Sequence, residues 1–323
     1  MTKKVIVTGA SGYIGGQTMI ALVEAGHTVI GIDWLPLPPH LIKFAKDHDI
    51  KFHQFDYGSE VGLNLMTRAN TPDAIIHCAA HSLVEPSMRT PEIYYENNVV
   101  SFKKLIDQIL GFAPNCRLIF SSSASTYGNP VMIPIAEEDP QQPISPYGES
   151  KLMGEMMLRS YHRARGLDFV SFRYFNATGA DHQQRHGQAP GATHIIAQML
   201  ERHRRGEVFV INGRDFDTAD GTCVRDYTHV EDIVAAHLMA LNTDAVPSDF
   251  YNLGTGEGFS NLQVYNTACQ IVGDIKMEFG DARPGDPAVL TASSAKLQKL
   301  TGWQPTYSLE DIITHAWNWY ERV

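Results

Sequence analysis

Through the first half of the chain, short runs of β-branched and apolar residues alternate with longer segments whose apolar positions recur every three to four residues. That rhythm predicts a parallel sheet covered by helices on both faces, because strands buried on both sides read as unbroken apolar runs. Strands are predicted over 3–8, 28–33, 50–55, 74–78, 117–121 and 169–172, and helices over 13–25, 38–47, 63–69, 91–110 and 147–163. The fold class is α/β, a doubly wound parallel sheet with a smaller C-terminal α/β domain. After Asn176 the rhythm gives way to a stretch rich in His, Gln and Gly (179–193), which suits a loop reaching over a ligand. The change of domain is placed there, with 1–176 as the first domain and 177–323 as the second. A helix over 230–241 and a strand over 250–253 read as one more sheet unit, so the chain is expected to rejoin the first domain over about 228–255. Near the C-terminus, Ile312, Ile313, Ala316, Trp317 and Tyr320 form a helical stripe expected to face a core.

Composition narrows the function classes. The 323 residues are 43% hydrophobic and 19% charged, with no low-complexity tract, so intrinsic disorder is excluded as the main state. The net charge of −10 repels a phosphate backbone, and the one basic run, Arg202-His203-Arg204-Arg205, is short and flanked by Glu201 and Glu207. No nucleic-acid partner is expected. The four cysteines, Cys78, Cys116, Cys223 and Cys269, lack metal or redox spacing and read as free thiols of a reducing compartment. The apolar run after Lys3 and Lys4 is broken by Gly9 and Gly12, too early for a membrane span or a signal core, so a cytoplasmic protein with no membrane partner is expected.

Two constellations carry chemistry. The first strand runs into Gly9-Ala10-Ser11-Gly12-Tyr13-Ile14-Gly15 and then a helix. Glycines at such a turn let backbone approach a pyrophosphate, whose charge sits against the helix's exposed N–H groups, as in Rossmann-type dinucleotide sites. Asp33 ends the second strand, where a carboxylate accepts both ribose hydroxyls and repels a 2′-phosphate, which favours NAD over NADP. Asp56, after the third strand, can take the adenine amino group or simply close a surface turn.

The second constellation is Tyr147-Gly148-Glu149-Ser150-Lys151, with Tyr147 and Lys151 four apart on one helical face. A tyrosine of ordinary pKa near 10 is a poor base at neutral pH, and a neighbouring ammonium favours its phenolate. The run Ser121-Ser122-Ser123-Ala124-Ser125 ends the fifth strand, where ligands of open α/β sheets bind. His182, His186 and His194 lack a helix-forming context that would align them, so a solvated loop rather than a metal site is expected.

These motifs, with Ala79-Ala80, Tyr94-Tyr95-Glu96-Asn97-Asn98-Val99, Arg173-Tyr174-Phe175-Asn176, Asp220-Gly221-Thr222, Arg225-Asp226-Tyr227 and Arg283-Pro284-Gly285-Asp286, span nearly the whole chain. Taken together they resemble the extended short-chain dehydrogenase/reductase family, and within it the 4-epimerases of UDP-glucose and UDP-galactose. The resemblance implies NAD as a bound catalyst, held by Gly9, Gly12, Tyr13, Ile14 and Gly15, by Asp33, Asp56 and Tyr57, and by Ala79, Asn97 and Tyr174. It implies Tyr147 as catalytic base and acid, Lys151 as its electrostatic partner and a ribose ligand, and Ser123 as the hydroxyl sharing the substrate O4 proton. It assigns Asn176, His194, Ile195 and Asn212 to the UDP-sugar, Arg225 and Arg283 to its phosphates, and Asp286 and Leu290 to the same pocket. A homodimer formed through the helices over 91–110 and 147–163 is also implied, with Leu105 and Met156 among the outward apolar residues.

The implied reaction removes the O4 proton to Tyr147 while the C4 hydride passes to NAD. A 4-keto sugar then turns over and takes the hydride back on its other face. Departures from the family pattern bear on the substrate. Ser82 stands where many epimerases have a cofactor-contacting Lys, Ile211-Asn212-Gly213 where an aromatic ring often lies near uracil, and Leu290 where a Tyr often closes the pocket beside the sugar C2. Ala124 and Ser125 occupy the positions where related 4,6-dehydratases carry an elimination acid and base, so dehydration is disfavoured. A UDP-glucuronate decarboxylase would lack its usual acidic residue here but stays open through a basic pocket for the substrate carboxylate, as does a 4-epimerase of UDP-N-acetylhexosamines, UDP-pentoses or UDP-uronates, whereas a non-catalytic NAD sensor would be expected to lose Tyr147 or Lys151.

Overall fold

A computed structural model describes residues 2–282 and 286–323. By internal packing the chain divides into two compact units, one of Met1–Gly128, Pro140–Arg173 and Val234–Tyr251, the other of Asn129–Asp139, Tyr174–Ile233 and Asn252–Val323. The elements begin with β1 (Lys4–Thr8), α1 (Tyr13–Glu24), β2 (Thr28–Asp33), α2 (Pro39–Asp47), β3 (Lys51–Gln54), α3 (Glu60–Asn64) and β4 (Ala74–His77). Short helices α4 (Val84–Ser87) and α5 (Pro91–Tyr95) lead through a wider π-type turn into α6 (Phe102–Phe112), then β5 (Arg117–Ser123), α7 (Pro146–Arg165) and β6 (Phe169–Tyr174). Next come β7 (Asn176–Thr178), α8 (Ile195–Arg204), β8 (Phe209–Asn212), β9 (Val224–Arg225), β10 (Tyr227–His229), α9 (Val230–Ala240) and β11 (Phe250–Leu253). The chain closes with β12 (Phe259–Ser260), α10 (Asn261–Val272), β13 (Met277–Gly280), β14 (Val289–Leu290), α11 (Ala295–Thr301) and α12 (Leu309–Arg322).

The frame of the first unit is a seven-stranded sheet of order β11-β6-β5-β4-β1-β2-β3, in which β3, β2, β1, β4 and β5 pair in parallel. This is the doubly wound α/β sheet expected from the alternation of runs and helices. Val5, Ile6 and Val7 of β1 and Ile75 and Ile76 of β4 are fully buried, which explains why these strands read as continuous apolar runs. On one face, Phe102, Leu105, Ile106 and Ile109 of α6 pack with Leu118 and Phe120 of β5 and Leu158 of α7. Leu105 therefore belongs to the core and is removed from the expected outward face, because with Phe102, Ile106 and Ile109 it completes the i, i+3, i+4, i+7 stripe that α6 turns to the sheet. Met156 stays outward at 57% exposure, alongside exposed Ile93, Val100 and Met153.

The core of the second unit gathers Ile196 and Leu200 of α8, Val264 of α10, and Ile312, Ile313 and Tyr320 of α12. In the C-terminal stripe it is Trp319, rather than Trp317, that is fully buried, its indole N–H donating to the Gln188 carbonyl at 2.8 Å. The loop over 179–193 does not simply lie in solvent. Asp181, His186 and Gln188 are buried, His186 meets the Trp319 ring edge-on, and Arg185 clamps the Asp181 carboxylate at 2.7 Å. Among the described residues no helix is long and apolar enough to cross a membrane.

Candidate active site

The glycine turn is built by close packing of strand ends. Gly9 has φ +71°, and a Cβ there would lie 2.7 Å from the Ala79 nitrogen and 2.8 Å from the Cys78 carbonyl carbon. Only glycine lets the end of β1 pass so near the end of β4. Gly12 is the residue capping α1, whose first turn, Tyr13, Ile14 and Gly15, holds no acidic side chain, so the positive end of the helix dipole is available to an anion. Asp33 closes β2 and is buried, its carboxylate accepting the backbone N–H of Ser11 and of Leu35 at 2.9 Å each. Burial raises its pKa, and the backbone donors oppose the rise. A backbone cradle that a single methyl group would fill, a helix N-terminus and a carboxylate at the neighbouring strand end together fit a dinucleotide.

The other residues assigned to the cofactor fall into two sets. Ala79 lies against Gly9, its N–H 3.4 Å from the Thr8 hydroxyl, while Asn97 is half-buried and donates to the Asn98 side chain at 2.9 Å. Asp56 is exposed and accepts the Gly58 N–H at 2.8 Å, closing a turn. Tyr57 packs in the core, edge-on to His77, with its hydroxyl donating to the Asn97 carbonyl.

Ser123, Tyr147 and Lys151 converge where β5 meets α7. Ser145 caps α7 by accepting the Gly148 N–H at 3.2 Å, and Pro146 opens the helix, which fixes Tyr147 in its first turn. Tyr147, Lys151 and Ser123 are all buried, and the Ser123 side chain acts on the Tyr147 phenol to hold its pKa down. The Lys151 ammonium donates to the Ser121 carbonyl at 2.8 Å and lies 5.9 Å from the centre of the Tyr147 ring. The Ser121 hydroxyl meets Cys78 at 3.4 Å, so the ends of β1, β4 and β5 form one connected lining.

The electrostatics correct one expectation. Burial raises the Tyr147 pKa, with the Ser123 hydrogen bond opposing it and Tyr94, whose ring centre is 6.4 Å away, adding to it. Burial also pushes Lys151 down to about 8, with Cys78 and Glu155 opposing. In the protein alone Tyr147 thus stands above its ordinary range, because desolvation of the phenolate outweighs the help of its neighbours. Tyr94 has no role in the sequence reading beyond standing in the motif Tyr94-Tyr95-Glu96-Asn97-Asn98-Val99, and its approach to Tyr147 comes only with the fold.

In the second unit, Arg225 donates to the Pro287 carbonyl at 2.7 Å and lies 3.8 Å from the Asp286 carboxylate. Leu290 of β14 pairs in register with Arg225 of β9, so Arg225, Asp286 and Leu290 are gathered at one place. Asn176 is half-buried and donates to the Asp226 carbonyl at 2.9 Å. Asp226 itself was not anticipated. It accepts the N–H groups of Thr255, Gly256 and Ala292 and the Thr255 hydroxyl, pinning three segments around β9. Tyr174 is buried, His194 is the residue before α8 and Ile195 opens that helix. Asn212 ends β8 beside a cavity of about 420 Å³ lined by Gly213, Arg214, Phe216 and Phe279. Arg283 lies outside the described residues.

The three loop histidines do not come together. His182 pairs with Glu231 at 2.8 Å, His186 packs on Trp319 and His194 stands at the start of α8. Another grouping, His229, Glu231 and His315, has metal-ligand proximity. Its geometry is that of a hydrogen-bond chain. The Glu231 backbone N–H donates to His229 Nδ1 at 3.1 Å, which assigns the proton to Nε2, and Nε2 in turn faces His315 Nδ1 at 3.1 Å.

Comparison with known proteins shows what the whole chain is similar to. The NAD dependent epimerase/dehydratase family matches residues 5–254. The UDP-glucose 4-epimerase of Halalkalibacterium halodurans is 41% identical over 329 residues, covering 98% of this chain and 95% of that protein. The crystal structure of a UDP-glucose-4-epimerase from Stenotrophomonas maltophila with bound NAD and formylated UDP-arabinopyranose superposes with a TM-score of 0.93 at 30% identity, covering 99% of this chain and 98% of the other. The UDP-Glc/GlcNAc 4-epimerase of Campylobacter jejuni is 36% identical with a TM-score of 0.85, covering 99% of both chains.

Proposed function

The chain belongs to the NAD dependent epimerase/dehydratase family, and we propose that it interconverts UDP-glucose and UDP-galactose by NAD-dependent epimerisation at C4. The observation that carries the chemistry is the buried group of Ser123, Tyr147 and Lys151 at the strand ends that also form the Gly9 cradle. In this reading Gly9, the first turn of α1 and Asp33 hold NAD. The cofactor supplies a hydride acceptor that later becomes the donor, so net redox is zero.

Tyr147 takes the proton from the sugar O4 as the C4 hydride leaves and returns it when the hydride comes back. Ser123 hydrogen-bonds that phenol and shares the proton. Lys151, anchored on the Ser121 carbonyl, supplies the positive charge that lowers the cost of the phenolate. Between the two half-reactions the 4-keto sugar must turn over, which requires firm binding of its nucleotide diphosphate and loose binding of the ring. Arg225 suits the diphosphate: its Nη1 is held by the Val224 and Pro287 carbonyls at 2.9 and 2.7 Å, which fixes the guanidinium, while Nη2, 3.8 Å from Asp286, is the group that meets a phosphate oxygen. Asn176, His194, Ile195 and Asn212 are assigned to the nucleotide-sugar, and Asp286 and Leu290 to the walls of its pocket.

Two further assignments belong to this reading. The exposed apolar residues Ile93, Val100, Met153 and Met156 support a two-fold homodimer through α5, α6 and α7, which light scattering should report as twice the chain mass of 35.9 kDa. Free Cys78, Cys116, Cys223 and Cys269 support a cytoplasmic location. The direct test is to incubate the purified protein with UDP-galactose alone and separate the products. Formation of UDP-glucose without accumulation of NADH is expected. Net NADH formation with a keto product would replace the epimerase by a dehydrogenase.

A further inference from the structure

One fully buried ion pair in the first unit has no part in the mechanism above. We propose that Glu155 and Arg173 form a positioning device that fixes α7 on the end of β5, so that Tyr147 and Lys151 stay aligned with Ser123. The proposal rests on the acid–base reading of Tyr147.

Tyr147, Lys151 and Glu155 follow one another at four-residue intervals on α7 and are all buried, so they form one stripe of the helix. Each member of the stripe engages one of three consecutive serines: Tyr147 with Ser123, Lys151 with the Ser121 carbonyl at 2.8 Å, and Glu155 with the Ser122 hydroxyl at 2.5 Å. The register of helix against strand is therefore written three times, and rotating α7 by one residue would break all three contacts. Glu155 is the anchor of this stripe. Besides Ser122, its carboxylate accepts Gln141 at 2.9 Å and Arg173 through Nε at 2.9 Å and Nη2 at 2.7 Å.

Arg173 then reaches past Glu155 and donates through Nη1 to the Tyr127 hydroxyl at 2.6 Å. Tyr127 follows the turn Ala124–Thr126, which leaves directly from Ser123. Ser123 is thus tied on both sides, through Ser122 to Glu155 and through Tyr127 to Arg173. Apolar side chains of similar volume could fill the same space without the desolvation cost of two charges. The planar fork of arginine on a carboxylate adds fixed geometry, which is what an acid–base pair requires.

The pair also bears on charge. The ionisable groups acting on or facing Lys151 are Cys78 and His77 at the end of β4, Tyr147 and Glu155. Of these, Glu155 favours the ammonium, so removing Glu155 alone would move Lys151 ionisation to lower pH.

The test uses the NAD-loaded enzyme. Replacing the pair by two methionines, Glu155→Met with Arg173→Met, removes both charges while keeping bulk. Normal NAD content is expected, with KM for UDP-galactose within about threefold and kcat lowered at least about tenfold. Arg173→Lys, which keeps charge but loses the fork, should lie between this double variant and the parent. Parental kcat in a folded double variant would overturn the proposal. If that variant fails to fold, Ser122→Ala removes only one contact of the stripe. A fall in kcat of about threefold or more at unchanged melting temperature supports the proposal, and unchanged kcat overturns it. Tyr147→Phe separates the two levels. Full turnover in that variant removes the acid–base reading, whereas its inactivity beside normal pair variants removes only the positioning role.

Discussion

Replacing Gly9 by alanine should separate two costs that the structure assigns to the cofactor turn. An L-residue at φ +71° sits in the left-handed region at a cost of about 1–2 kcal/mol. The added Cβ would also lie 2.7 Å and 2.8 Å from backbone atoms of Ala79 and Cys78, which cannot swing away as a side chain could. Overpacking of that kind costs about 1–3 kcal/mol more, so Gly9→Ala should lose about 2–5 kcal/mol in all. Gly26, in the turn after α1, provides the control, since its φ is +78° but a Cβ there meets nothing within 4 Å. Gly26→Ala should show the backbone term alone, about 1–2 kcal/mol. At about 2–4 °C per kcal/mol the two variants should be resolved by thermal unfolding. The second readout is NAD released on denaturation. Gly26→Ala should retain the parental content, whereas Gly9→Ala should lose most of it and gain little melting temperature from added NAD. Equal melting temperatures in the two variants, with parental NAD content in both, would refute the argument that the close approach of β1 to β4 builds the cofactor site.

Tyr147→Phe should lower kcat by at least about 10²-fold while nucleotide-sugar binding, measured by calorimetry, persists. Near-normal turnover would remove Tyr147 from the mechanism. Lys151, pushed down to about 8 by burial, is costly to hold as an ammonium. Its folded pKa lies below the unfolded value near 10.4, so its drag on stability is full below about pH 8 and disappears as pH rises toward 10.4. Lys151→Met should therefore raise the melting temperature at pH 7, by up to about 3 kcal/mol of stability, lose that advantage above pH 10, and depress kcat. A variant less stable than the parent at pH 7 would contradict the sign. Leu290, half-buried in β14 and paired with Arg225, is shorter than tyrosine, and as a wall of the proposed sugar pocket it would leave room beside the sugar C2. The parent should turn over UDP-N-acetylhexosamines more slowly than the UDP-hexoses, and Leu290→Tyr should suppress only the former. Equal loss of both activities would show that Leu290 does not set the gate.

What could be read from the sequence was local and strongly patterned. β1, β2 and β4 stand out because burial on both faces demands unbroken apolar runs, and α7 because a Ser-Pro start and a long amphipathic stretch coincide. The end of β5 was placed too early at 121. Ser122 and Ser123 have no strong strand preference, and their extended backbone is set by the neighbouring strands and by α7. Leu105 lies on the sheet side and not the outward side because it shares a stripe with Phe102, Ile106 and Ile109, and a helix rich in apolar residues does not show by composition which of them face the sheet. Pairings distant in sequence were invisible. Ile135 joins the second unit by exchanging backbone hydrogen bonds with Thr291 and Ser293, and Asp226 reaches Ala292. Arg117, which opens β5 and donates to the Val246 carbonyl, is buried for a reason visible only in the fold. The spacing of Tyr147 and Lys151 was legible, whereas Glu155, the third member of the same stripe, gained meaning only once Arg173 and Ser122 were seen around it.

The central claim is that the hydride leaving C4 is kept by the protein and returned to the same carbon. The most direct measurement follows UDP-galactose carrying deuterium at C4, incubated with the purified enzyme and no added cofactor, with the UDP-glucose formed read by mass spectrometry and NMR. Retention of the deuterium at C4, with no net NADH, is the result this mechanism requires. Loss of deuterium to solvent, or product formation only with added NAD and stoichiometric NADH, would contradict it.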